Sequence, residues 1–242
     1  MIAAIVPAAG AGVRMEAERP KQFRPLGDRP LLVHTLQRLS ASPLLDTVVV
    51  VVPADWVGKA RTDLIEPYGL TKVGAVVAGG AERQDSVAAG LERVPPEAHV
   101  VVVHDGVRPF VTTAMVAAVV EAAQAVGAAL TAIPVTDTVK RVAERIVVET
   151  VSREGLFRVQ TPQAFRREVL SEALRRARTD GVVATDEAAL VERLGMPVQV
   201  VAGAEANLKV TTPEDWALAE GMLKAQERSG LGAEAPAEGT RA

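Results

Sequence analysis

The 242-residue chain has no cysteine, only 3% aromatic residues and almost no charge excess, its 27 basic and 30 acidic side chains leaving a formal net charge of −3. The missing cysteines exclude disulfides, thiolate nucleophiles and Cys-ligated zinc, and they are compatible with a cytoplasmic protein. The balance of charge excludes a global basic field of the kind that holds nucleic acid or an anionic membrane, so any polyphosphate site has to be built locally. Long apolar runs are lacking as well. Residues 114–133 are nearly uncharged, but Glu121, Gln124 and Gly127 interrupt them and alanine dominates, which reads as a helix followed by a strand and not as a membrane span. No basic residue precedes the apolar run Ile2–Val6, which is too short for a signal peptide and reads as a first strand. Chemistry therefore falls to carboxylates, cations and backbone groups.

What is present suits one α/β domain with a well-buried core: 48% of the residues are hydrophobic and 24% charged. Short β-branched runs alternate with amphipathic stretches, the pattern of parallel strands buried on both faces and joined by helices. Strands are predicted at Ile2–Val6, Thr47–Val52, Val73–Val77, His99–Val103, Ala129–Ile133 and Val198–Val201. Helices are predicted at Pro30–Ser40, Asp55–Ile65, Arg83–Arg93, Thr113–Val126, Arg167–Ala177, Asp186–Leu194 and Glu214–Lys224. The fold class is a Rossmann-like, doubly wound, mostly parallel sheet, whose ligands belong beyond the carboxyl ends of the strands. The domain is expected to span 1–225, and the Gly-, Ala- and Glu-rich residues 226–242 to form a disordered tail. Residues 134–157 break the rhythm, because the alternating runs Thr138–Val142 and Ile146–Val151 flank an Ala143-Glu144-Arg145 turn. That is an inserted β-hairpin. A two-stranded ribbon is marginal by itself, so it either packs on a second subunit as a dimerisation arm or folds back on its own domain.

The strand Ile2–Val6 empties into PAAGAGVRMEAERPKQFRPLG, residues 7–27. Gly10 and Gly12 leave backbone N–H groups open, and Arg14 and Lys21 add positive charge, a combination that suits phosphate and the charge that grows on it during nucleotidyl transfer. The glycines alone would fit a plain strand-to-helix turn. Met15 stands where a dinucleotide fingerprint needs its third small residue, and no GxxxxGK[ST] occurs, so neither common phosphate-binding pattern applies. Only six of the 27 basic residues are lysines, which gives Lys21, set between Pro20 and Gln22, some weight over a solvated lysine.

HDGVRP, residues 104–109, ends a run of four valines and delivers Asp105 to the sheet edge, where a carboxylate can hold Mg²⁺ against nucleotide phosphates or simply cap a turn. His104 reads as an orienting or core imidazole, and Arg108 as either a phosphate ligand or a partner for Asp105. GGAERQDSV, residues 79–87, permits close approach of a base or ribose at Gly79 and Gly80, with Arg83 and Ser86 for polar readout, although an N-capped helix explains it as well. ATDEAAL, residues 184–190, reads as a helix start capped by Thr185 or Asp186, and NLKVTTPED, residues 207–215, places Lys209 in an extended piece before a helix.

In this order, PAAGAGVRM, PKQ, GGAERQDSV, HDGVRP, DTVKR, SREGL, TPQAF, TDEAA and NLKVTTPED resemble the 2-C-methyl-D-erythritol 4-phosphate cytidylyltransferase family of the non-mevalonate isoprenoid pathway, from about Ile2 to Leu223. The resemblance implies a homodimer with an exchanged hairpin arm, CTP as co-substrate and Mg²⁺ as cofactor. It implies catalytic roles for Arg14 and Lys21 at the α-phosphate. Pro7, Ala8, Ala9, Gly10, Ala11, Gly12, Gly80, Arg83, Ser86, Asp105 and Gly106 would hold the nucleotide, and Asp105 the metal. Arg108, Thr138, Arg153 and Lys209 would position the methylerythritol phosphate, with Thr138 and Arg153 reaching in from the neighbouring subunit. A phosphate nucleophile is already ionised at neutral pH, so no general base is needed. The family often reads HDAAR where this chain has Gly106 and Val107, and Ala81 stands where an acidic residue can occur. Rival readings are a ribitol 5-phosphate cytidylyltransferase, a sugar-1-phosphate nucleotidyltransferase, a non-catalytic CTP-binding module and an NAD-dependent dehydrogenase, the last disfavoured by Met15.

Overall fold

The computed structural model describes residues 1–10 and 19–229. The strands of four residues or more are β1 (Ile2–Pro7), β2 (Thr47–Val52), β3 (Val73–Ala78), β4 (Val100–Val103), β5 (Ala128–Pro134), β6 (Val139–Ala143), β7 (Ile146–Val151), β8 (Phe157–Arg166) and β9 (Gln199–Ala202). The helices of seven residues or more are α1 (Leu31–Ala41), α2 (Arg83–Leu91), α3 (Thr113–Val126), α4 (Arg167–Asp180), α5 (Glu187–Arg193) and α6 (Pro213–Arg228). Seven strands form one sheet in the order β9, β5, β8, β4, β1, β2, β3, and every neighbouring pair is parallel except the two made by β8.

Alternation along the valine-rich strands explains the double winding. Ala4 and Val6 of β1, Val48 and Val50 of β2, and Val100 and Val102 of β4 join Leu36 and Leu39 of α1 and Val116 and Val119 of α3 in one buried cluster. Their neighbours Ala3, Ile5, Val49, Val51, Val101 and Val103 point to the other face, against Val87 of α2, Leu170 of α4 and Leu190 of α5. A strand buried on both faces has to be apolar throughout, and that is why these strands carry unbroken aliphatic runs. Thr112 caps α3 by accepting a hydrogen bond from the Met115 N–H, and Thr212 with Asp215 closes a capping box on α6.

Two elements depart from the periodicity. Residues 54–68, expected to hold one helix, form a chain of short helical turns of changing pitch, ended by Gly69 in the left-handed conformation at φ 60°. Strand β8 has no counterpart among the expected strands. Its sequence FRVQTPQAFR places a proline and three polar residues mid-strand, signals that ordinarily argue against a central strand. The structure accommodates them with a register shift between Gln160 and Gln163, in a strand that contains a cis Thr161–Pro162 bond. Helix α6 runs on to Arg228, past the boundary expected at 225, and residues 230–242 lie outside the described part.

The hairpin forms as expected from β6 and β7, which pair only with each other. Its turn is two residues long, Glu144 and Arg145 at φ 49° and 67°, the left-handed pair that matches the twist of the strands. Val142, Ile146, Val147 and Val148 are 54, 70, 55 and 61% exposed, so the ribbon is not folded back to bury them against its own domain.

Candidate active site

Chain connectivity turns at β1. The path leaves it for β2 and β3 on one side and returns to β4 on the other, which opens a crevice beyond the carboxyl ends of the central strands. A cavity of about 490 Å³ occupies it. The loop after β1 contributes Pro7 to Gly10 with Lys21 and Gln22, the loop after β3 contributes Gly80 to Arg83 with Ser86, and the far wall is Asp105, Val107 and Lys209.

The β1 loop is held from below. The Ala8 N–H is spent on the Val51 carbonyl at 2.7 Å, so this residue contributes shape rather than a donor, whereas the N–H groups of Ala9 and Gly10 have no acceptor among the described residues. Gln22 is buried and donates from Nε2 to the carbonyls of Ala8 at 2.6 Å and Gly10 at 3.1 Å. That staple closes the loop on the one-turn helix Lys21–Phe23, and Phe23 stacks on Trp56 with ring centroids 3.9 Å apart. Lys21 thus stands at the cavity on a turn anchored on both sides. Ala11, Gly12 and Arg14 lie outside the described residues.

Asp105 is the electrostatic centre. It follows β4 closely, is 6% exposed, and takes three cations: Arg83 Nε at 3.1 Å, Lys209 Nζ at 2.8 Å and Arg108 Nε at 3.7 Å. Burial works against its ionisation, but Arg83, Lys209 and Arg108 outweigh it and hold the carboxyl well below the usual carboxylate range. His104 shapes the turn. It is fully buried, burial pushes its pKa down to about 4, and the neutral ring donates from Nε2 to the Arg108 carbonyl at 3.1 Å. The Asp105 N–H is taken by Thr161 Oγ1 of β8 at 3.0 Å.

Glycines bring the two loops together. A Cβ on Gly79 would lie 2.3 Å from Ala9 Cβ and 2.6 Å from Ser86 Oγ, so no other residue fits there without displacing the β1 loop. The Gly80 N–H donates to Ser86 Oγ at 3.3 Å. Gly106 sits behind the cavity wall. Its N–H goes to the Pro7 carbonyl, its carbonyl accepts from Thr35 Oγ1, and it does not line the cavity.

The expected acceptor residues are not all gathered at the cavity. Lys209 lines the cavity, while Arg108 is buried behind it, paired with Asp105 and donating to the Asn207 carbonyl at 2.7 Å. Thr138 and Arg153 sit at the base of the exposed arm, where Arg153 donates to the Thr136 carbonyl, and neither lines the cavity. A family model described as 2-C-methyl-D-erythritol 4-phosphate cytidylyltransferase matches residues 2–225. The chain belongs to that family.

Among curated members of this cytidylyltransferase family, the enzyme of Syntrophus aciditrophicus is 48% identical over 227 residues, 93% of this chain and 97% of its own. That of Pelotomaculum thermopropionicum is also 48% identical, over 93% of this chain and 95% of its own. The crystal structure of the Thermus thermophilus enzyme has a TM-score of 0.76 and 38% identity, covering 91% of this chain and 98% of that one. The chain is accordingly a nucleotidyltransferase. No described helix is long and apolar enough to cross a membrane.

Four buried polar side chains at or behind the cavity are not singled out by the sequence: Gln22, Thr161, Gln163 and Glu187. The usable signal is a polar residue close to a large apolar one in a short motif, as in PKQF and TPQAF. Glu187 is masked by the capping residues before it, and Asp186 is indeed the cap, accepting from the Ala189 N–H at 3.0 Å.

Proposed function

We propose that the cavity binds CTP and that the protein transfers CMP to 2-C-methyl-D-erythritol 4-phosphate, giving 4-diphosphocytidyl-2-C-methyl-D-erythritol and pyrophosphate. The observation that carries this reading is one cavity lined by Lys21, Arg83, Asp105 and Lys209, between the ends of β1, β3 and β4. The acceptor phosphate oxygen attacks the α-phosphorus in line. A P–O bond forms there as the bond to the β-phosphate breaks, and the electron pair leaves with pyrophosphate. Lys21, with Arg14, stabilises the charge that builds on the α-phosphate, since such transfers depend on positioning and electrostatics. Ala9, Gly10 and Gly80 approach the nucleotide, Arg83 and Ser86 read it, and Lys209 draws in the acceptor phosphate, with the buried Arg108 adding its charge from behind.

Asp105 would be the carboxylate to hold a hard cation whose other ligands are phosphate oxygens, with one of its present partners, Arg83, Lys209 or Arg108, giving way to the ion; no group of three or more His, Cys, Asp or Glu side chains is found among the described residues. Mg²⁺ bound there would neutralise phosphate charge on the nucleotide. The cysteine-free composition supports a cytoplasmic location.

The exposed apolar arm supports exchange in a homodimer, with Thr138 and Arg153 completing the neighbour's acceptor site. A mixed dimer of Arg153→Ala and Lys21→Ala subunits then recovers activity that neither homodimer has. A confirmed mixed dimer without recovery would overturn the exchange. The whole reading is tested by pyrophosphate release from CTP with each acceptor in turn, in the soluble fraction and with or without chelator. Faster release with ribitol 5-phosphate than with the methylerythritol phosphate would overturn the choice of acceptor, and full activity after chelation would overturn the metal.

A further inference from the structure

Glu187 is 1% exposed and does not line the cavity, yet it is tied to a residue that does. Arg83 donates from Nη1 to both Glu187 oxygens at 2.7 Å and from Nε to Asp105 at 3.1 Å. Its Nη2 has no acceptor among the described residues, and 26% of the side chain remains exposed. Two carboxylates from distant parts of the chain therefore fix the guanidinium plane and leave one nitrogen for a ligand.

Glu187 is itself firmly placed. It opens α5, and Gln163 of β8 grips that turn on both sides, donating to Asp186 Oδ2 at 2.8 Å and accepting from the Ala188 N–H at 3.3 Å. Gln84, next to Arg83, ties α2 to the connection before α5 through the Val182 carbonyl at 3.1 Å and the Ala184 N–H at 3.3 Å. Burial pushes the Glu187 carboxyl up, and the Arg83 charge only partly offsets this. Removing the carboxylate alone would leave the Arg83 guanidinium short of one of its two counter-charges.

We propose that Glu187 is a positioning residue for the nucleotide, holding Arg83 so that its remaining N–H groups meet an acceptor oxygen of CTP. This rests on the reading of the cavity as the CTP site. Glu187→Gln keeps the shape and removes the charge. It is expected to raise the KM for CTP roughly tenfold, the size of one lost charge-assisted hydrogen bond, with kcat and the acceptor KM within about threefold; Tm falls as one member of a buried ion cluster is lost, so the split between KM and kcat carries the test. In an Arg83→Ala background, Glu187→Gln has no further effect, because the carboxylate acts only through Arg83. Should Glu187→Gln not fold, Glu187→Asp, which keeps the charge but shortens the reach, shows the same selective rise in KM for CTP.

The inference is overturned if Arg83→Ala raises the KM for CTP while the Glu187 variants leave it at the wild-type value, or if the two effects multiply in the double variant. A wild-type KM in Arg83→Ala itself would overturn the reading of the cavity, and the inference with it.

Discussion

Lys21→Ala is expected to lower kcat by about 10²–10³-fold, some 3–4 kcal/mol of transition-state stabilisation, while the KM for CTP shifts by less than about threefold. The asymmetry follows from where charge appears. In bound CTP the α-phosphate carries its ordinary charge, and extra density accumulates on its oxygens only as the acceptor attacks, so a cation aimed at that position acts chiefly on the transition state. Such an effect needs a cation held in place beforehand. Lys21 meets the condition because Gln22 ties its turn to the β1 loop and Phe23 packs on Trp56. Equal losses in kcat and in CTP affinity would show instead that Lys21 merely binds, which is the behaviour of a CTP-binding module without catalysis.

Asp105→Asn is expected to abolish measurable turnover and to lower stability by about 3–5 kcal/mol, the usual result of removing one member of a buried ion cluster. For a chain of this size that corresponds to a Tm lower by roughly 6–20 °C. The variant leaves Arg83, Arg108 and Lys209 facing one another without their common counter-ion. The Lys209 contact matters least for stability, because its side chain is 43% exposed and solvent screens it. The pH dependence has a definite sign. A carboxyl whose folded pKa lies below its unfolded value contributes stability above the unfolded pKa, about 3.9, and loses it as pH falls towards the folded one. The difference in Tm between wild type and variant should therefore stay constant from pH 7 to about pH 5 and narrow only below about pH 4. A gap that closes near neutrality in thermal melts would contradict a strongly ionised Asp105.

Much of the scaffold is legible along the chain because its strands are buried on both faces. The run Val48–Val52 has few other fates, and Thr113–Val126 carries both its cap and its helical period. Strand β8 is illegible for the opposite reason. Its polar residues look wrong for a central strand when read locally, and they fit only because Asp105, Asp186 and Asn207 stand ready to bond Thr161, Gln163 and Gln160.

By itself the sequence determined the class of sheet, the hairpin insertion and the loops that carry Lys21, Gly80, Asp105 and Lys209, since each depends on local period, turn chemistry or position at a strand end. Only the tertiary structure decided that Arg83 is shared between Asp105 and a glutamate 104 residues away, that the Ala8 N–H is spent inside the sheet, and that an antiparallel strand backs the site. These are pairings across the strand order. Local patterns state which side of an element is buried, while the partner it meets there depends on topology and register, which exist only once the chain has closed on itself.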